Sequence, residues 1–325
     1  MTVDTLLIVY YTLYFILSFF TQLFVLYLIV WHSPTSLSDM KKLLGATSLS
    51  QILMCLSAFL TQVRIVPIQS SIALLSFGPC SVLGSFACFT TYNLLNTSGC
   101  LVVASLLHMM YFRRRLLTSR RFSTKRFVCN CFVVYLASFI VLVFSFLGPT
   151  DVNFIRSLLV SHYSSINLRQ YTLSGFSDVR HFFCSTATAI IAANAYIPPI
   201  IALFWRRKIV KEINAQQAVL SSRTQLQTRN LVQCLTWQTC LPLFFYVLPY
   251  TFYLVQQIFG IGSAITEYLI FPLNTFSAVL DPIFMLHFIK PYQRKAKMMV
   301  SDFFGIQSMP NAVSIATVNS QTSQL

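Results

Sequence analysis

Charge is what this 325-residue chain has least of: Asp, Glu, Lys and Arg make up 10% of it, whereas 56% is hydrophobic. Ordinary soluble domains carry about 25% charged and about 45–50% apolar residues. A soluble fold must wet its surface and cannot hide so large an apolar excess. Disorder is excluded because such a chain would collapse. Only 9 Gly and 12 Pro exclude a collagen-like or low-complexity chain. Reactive clusters are also missing. The five histidines, His32, His108, His162, His181 and His287, are far apart, and no paired-His motif, G-x-S-x-G elbow or phosphate loop is present. One acidic residue, Asp281, falls inside an apolar run, and one carboxylate makes neither an acid/base pair nor a proton relay. No catalytic residue, metal or cofactor is expected.

What is present is a series of long apolar runs. A hydrocarbon core of about 30 Å takes around 20 residues of helix. Runs of that length fall at about 6–31, 43–63, 81–111, 127–147, 182–205, 230–256 and 268–289. They lack the alternation of a barrel strand. The expected fold is an all-α membrane protein, a seven-transmembrane helix bundle within residues 1–304. No Lys or Arg precedes the first run and no A-x-A site follows it, so it is expected to stay as a helix.

The net charge of +15 has a topological explanation. Nineteen of the 23 basic residues lie in four segments on one side, 32–42, 112–126, 206–229 and 290–325. The other side holds Arg64, Arg156, Arg169 and Arg180. The basic side is therefore assigned to the cytoplasm and the N-terminus to the outside. That distribution removes the reason to invoke nucleic acid.

Polar and helix-breaking residues inside the spans mark switch candidates. Asp281 precedes Pro282, and Gln238 lies one turn before Pro242, with Pro249 beyond and Pro198–Pro199 in the fifth span. Proline frees a backbone carbonyl and bends the helix. An intramembrane carboxylate normally faces the bundle. A movable latch and a static polar tie both fit these residues. Residues 291–304 set Tyr292, Ala296, Met299, Val300 and Phe303 at helical spacing beside Arg294, Lys295 and Lys297. They read as an amphipathic helix on the inner leaflet, in contact with membrane lipid. The Ser-, Gln-, Thr- and Asn-rich tail, 305–325, reads as disordered. Among nine cysteines there is no C-x-x-C pair. Cys80 and Cys184 fall at similar depth on the oxidising side, where a bridge and two free buried thiols are both open.

Seven spans with an outer N-terminus and an eighth interfacial helix resemble a G-protein-coupled receptor. Finer patches are similar to the nematode serpentine chemoreceptors of class delta: Thr61-Gln62-Val63-Arg64-Ile65-Val66-Pro67, Ser71-Ile72-Ala73-Leu74, Gly78-Pro79-Cys80, Gln238 to Pro242 with Pro249, Leu280-Asp281-Pro282, and Lys290-Pro291-Tyr292-Gln293-Arg294. The resemblance implies a chemosensory receptor for an odorant or pheromone-like small molecule, a heterotrimeric G protein as partner, and residence in the plasma membrane of sensory cilia. It places the ligand among the outer halves of the third, fifth, sixth and seventh helices. Polar groups there are Tyr92, Asn93, Asn96, Asn194, Tyr246, Tyr250, Glu267 and Tyr268. It places Arg113, Arg114, Arg115, Arg206, Arg207 and Lys208 beside the G-protein cleft. The chain departs from the rhodopsin-like pattern: no acid adjoins Arg113, and the seventh span reads Asp281-Pro282-Ile283-Phe284-Met285. A ligand-gated channel or small transporter is the alternative, but an odd span number does not divide into inverted halves. Oligomeric state is not encoded in any of these features.

Overall fold

The computed structural model describes residues 3–33, 38–118, 124–163, 168–215, 222–259 and 264–303, and the expected tail at 305–325 lies outside them. The helices are α1 (Val3–His32), α2 (Ser38–Thr61), α3 (Ser85–Thr118), α4 (Thr124–Leu147), α5 (Val152–His162), α6 (Phe182–Ala215), α7 (Ser222–Pro242), α8 (Leu248–Phe259), α9 (Ala264–Phe288) and α10 (Lys290–Phe303). Six spans among the described residues, in α1, α2, α3, α6, the α7–α8 stretch and α9, are long and apolar enough to cross a membrane. The seventh is α4, which passes the same test together with α5, from which it is bent by 80°. At 24 residues, α4 is about 36 Å long, enough to cross alone. The architecture is a seven-transmembrane all-α bundle.

Each span buries one stripe and gives the rest to lipid. In α1 the buried stripe is Leu7, Tyr11, Tyr14, Ser18, Gln22, Val25 and Ile29, spaced by three or four residues. Leu13, Phe20 and Trp31 on other faces are more than half exposed. Two cores result. The outer one joins Tyr11, Tyr14, Phe89, Tyr92, Tyr250 and Phe271; the inner one joins Leu28, Met109, Met110, Ile209, Leu235 and Tyr292. Tyr292 ties α10 to α1, its hydroxyl 2.8 Å from that of Ser33. In α10, Tyr292 is buried against the bundle and Val300 is exposed.

The outer face carries a small sheet where the sequence suggests only a link. Strands β1 (Val63–Ile68), β2 (Ser71–Ser76) and β3 (Thr172–Phe176) form an antiparallel sheet in the order β1-β2-β3. Its two faces follow the strand period of two. Val63, Ile65, Ile72, Leu74 and Phe176 join the outer core of the bundle. Val66, Ile68, Ala73, Leu75 and Leu173 pack under Ile155 and Leu159 of α5. Pro67 is tolerated because β1 is an edge strand. The second span thus ends at Thr61, and Val63, assigned to its end, begins β1. α5 starts at a capped end, where Asp151 Oδ1 accepts from the backbone N–H groups of Asn153 and Phe154 at 3.0 and 3.1 Å.

The cysteines pair differently from the sequence expectation. Cys80 is bonded to Cys88, not to Cys184, which is a free buried thiol. A short 3-10 helix, Pro79–Leu83, and Gly84 at φ 94° turn the chain back into α3, which brings residues eight apart together.

Gly175 has φ 145°, and a Cβ there would strike the carbonyl oxygen of Ile72 on β2. Gly175→Ala is expected to cost about 1–3 kcal/mol through strain and strand separation. Gly45, in α2, has open space at its Cβ position, so Gly45→Ala is expected to be neutral or stabilising. Thermal unfolding of the two purified variants checks both, and equal midpoints would contradict the sheet.

Candidate functional site

A small cavity of about 60 Å³ lies among α2, α3, α6, α7 and α9. Its apolar walls include Met54, Leu95, Val103, Leu106, Ile191 and Leu241. Its polar groups are Gln51, Asn96, Asn194, Gln238, Asn274 and Asp281. Pro242 also lines it, at the point where α7 passes into a π-helical turn, Leu243–Val247, before α8. Proline cannot donate the hydrogen bond that a continuous α-helix needs, and the wider turn absorbs the mismatch. Where a proline bend is expected at Pro242, the structure has a π segment.

Asp281 is 2% exposed and sits where α9 carries Pro282. The side chains of Gln22, Gln51 and Gln238, from α1, α2 and α7, surround its carboxylate and hydrogen-bond to it. Gln22 also donates Nε2–H to the carbonyl of Ala278 at 3.2 Å. Four helices thus meet at one carboxylate. Gln22 and Gln51 did not stand out in the sequence. The signal was there, because a carboxamide in an apolar span seeks a partner on another helix.

Aromatic packing and an ion-pair cluster occupy the outer part of the bundle. Tyr92 meets Phe271 at 5.7 Å between centroids, and Phe89 meets Phe176 of β3 at 5.2 Å. Beyond this plug, Arg64 of β1 donates from Nη2 and Nε to Glu267 Oε2 at 2.7 and 3.1 Å, and from Nη1 to the Tyr268 hydroxyl at 2.6 Å. The guanidinium also lies 4.2 Å from the Tyr268 ring centroid. Tyr268 and Tyr171 both donate to Asp4, at 2.8 and 2.9 Å. Burial alone would lower the Arg64 pKa, but the Glu267 hydrogen bond and charge outweigh it and hold it above the ordinary value. Burial, then the adjacent Glu267 and Asp4 carboxylates, raise Tyr163 and Tyr171 respectively. The sheet is thereby fastened to α9 and α1.

The eight ligand-contact candidates divide accordingly. Asn96 and Asn194 line the cavity. Tyr92 belongs to the plug, Asn93 is buried beside it on α3, and Tyr250 donates to the carbonyl of Thr188 at 3.5 Å. Glu267 and Tyr268 are committed to Arg64. The Tyr246 side chain lies outside the described residues. Among the switch candidates, Gln238, Pro242 and Asp281 line the cavity, and Pro282 is buried next to it in sequence.

At the inner end, Arg113 donates to Thr228 of α7, and Arg114 pairs with Glu212 of α6 at 3.8 Å. The acid that reaches this cluster, Glu212, comes from another helix and meets Arg114. Arg115 stands over Tyr111, and Arg206, Arg207 and Lys208 are exposed on α6, Lys208 4.3 Å from the Phe204 ring.

A heptahelical bundle with an interfacial eighth helix and a central cavity is built like a G-protein-coupled receptor. The chain belongs to the serpentine type 7TM GPCR chemoreceptor Srd family, whose model matches residues 7–298. It is 29% identical over 306 residues to serpentine receptor class delta-50 of Caenorhabditis elegans, covering 91% of this chain and 90% of that one. It is 30% identical over 280 residues to class delta-59 of the same organism, covering 86% of each. It is an integral, multi-pass membrane protein of a chemoreceptor family.

Removing one partner of a buried ion pair strands the other charge, at about 3–5 kcal/mol. Arg64→Ala and Glu267→Ala should each lower the thermal midpoint. The double variant should lose clearly less than the sum, and strict additivity would show that the pair is not coupled.

Proposed function

We propose that the protein is a chemosensory receptor whose small-molecule ligand occupies the mid-bundle cavity and whose bundle signals through a heterotrimeric G protein. One observation carries this reading: the cavity is lined by Asp281 and Pro242, next to Pro282 within α9 and the π-helical turn after α7. A ligand there contacts interrupted stretches of two helices, and differential affinity for two arrangements is what shifts a population. The inner ends of α3, α6 and α7 are joined by Arg113–Thr228 and Arg114–Glu212. A change of bend above would be felt at those contacts. A ligand of odorant or pheromone-like size and residence in sensory cilia belong to the same proposal, resting on family membership.

The test is expression of the full chain with a calcium readout against odorants and pheromone-like lipids. Asn194→Trp fills the cavity and should abolish the response with surface expression kept. Replacing Arg113, Arg114 and Arg115 by Gln should lower signalling more than surface expression. A ligand-evoked current that persists without G protein would instead favour a channel.

A further inference from the structure

Three buried acceptor oxygens that line the cavity are unspent, whereas the nearby amide and hydroxyl donors are used on the backbone. Asn96 uses Nδ2 on the carbonyl of Tyr92 at 3.3 Å, and Asn194 uses Nδ2 on the carbonyl of Cys100 at 3.5 Å. Ser277 donates to the carbonyl of Asn274 at 2.9 Å. Gln51 Oε1, Gln238 Oε1 and Asp281 Oδ2 are buried and receive no hydrogen bond from the protein. Among the lining residues the single charge is the Asp281 carboxylate, and no Lys, Arg or His lines the cavity. A buried acceptor without a donor costs about 1–3 kcal/mol, and a carboxylate more. The site therefore offers unpaired acceptors and a negative charge, with no cationic side chain to meet them.

We propose that the ligand of this cavity is a small aliphatic amine, bound as its ammonium form with the head group at Asp281, Gln51 and Gln238. The proposal rests on the cavity being the ligand site. An ammonium brings three N–H donors and no acceptor, the complement of three unpaired oxygens. Its charge-assisted bond to Asp281 is the strongest single contact available there. The apolar walls, Leu95, Val103, Leu106, Ile191 and Leu241, suit a short alkyl body. A carboxylate ligand would meet acceptors of its own sign, and an alcohol would satisfy one oxygen out of three.

Cys100, a free thiol lining the cavity, reports on this without knowledge of the natural ligand. The full chain in lipid nanodiscs would be treated with 2-aminoethyl or 2-sulfonatoethyl methanethiosulfonate. Modification at Cys100 would be located by mass spectrometry and normalised to a Cys placed at the exposed Ser161. The ammonium reagent should react at least about tenfold faster, and Asp281→Asn should bring the ratio to within about threefold. In the unmodified chain, hexylamine should protect Cys100 from methyl methanethiosulfonate at about tenfold lower concentration than hexanol, with no protection by hexanoate. This second arm holds even if Asp281→Asn does not fold. Equal reagent rates, a preference for sulfonate, a ratio unchanged in Asp281→Asn, or protection by hexanoate would each overturn the amine proposal while leaving the cavity as a ligand site. No reaction of Cys100 with any reagent would overturn the cavity reading and this inference with it.

Discussion

A carboxylate in the middle of a lipid-embedded bundle has no water to fall back on, and its neighbours must supply what water would. Asp281 sets that requirement for four helices, because Gln22, Gln51 and Gln238 approach it from α1, α2 and α7. Glutamine meets the demand without adding a second buried charge, whose desolvation would cost several kcal/mol. The same requirement puts the cavity beside the carboxylate, since large apolar side chains cannot pack tightly against groups that need polar partners.

The outer end solves a different problem. The loops there must cover a wide bundle with few residues, and a three-stranded sheet covered by α5 does so with its backbone groups paired. The Arg64–Glu267 pair and the tyrosines on Asp4 then fasten the sheet to the helix ends. The interior and the outer end thus rest on separate chemistry: a carboxylate with amides inside, and a guanidinium with phenols outside.

The bundle was legible because spanning hydrocarbon demands a long apolar run, and a Lys/Arg bias marks the side. The sheet was not. Its strands are buried on both faces, so Val63–Ile68 and Ser71–Ser76 show no apolar–polar alternation. Asp281 and Gln238 stood out through the cost of burying them, whereas the tyrosine candidates did not separate ligand contacts from plug, since a phenol serves either purpose. Cys184 was matched to Cys80 by depth alone, and the local reversal at Gly84 that favours Cys88 depends on one backbone conformation. Glu212 as partner of Arg114 comes from α6, about a hundred positions along the chain, a distance that no local pattern spans.

The bridge between Cys80 and Cys88 closes within the start of α3 and leaves the segment from Gly148 to Arg180 without a covalent tie to the bundle. Beyond the chain itself, the outer cover is consequently held by noncovalent contacts alone: one ion pair, a few phenol hydrogen bonds, the sheet pairing and the apolar packing of Ile155, Leu159, Leu173 and Phe176. Reductants find no cross-link to cut in that segment, and salt screens the buried Arg64–Glu267 pair only weakly.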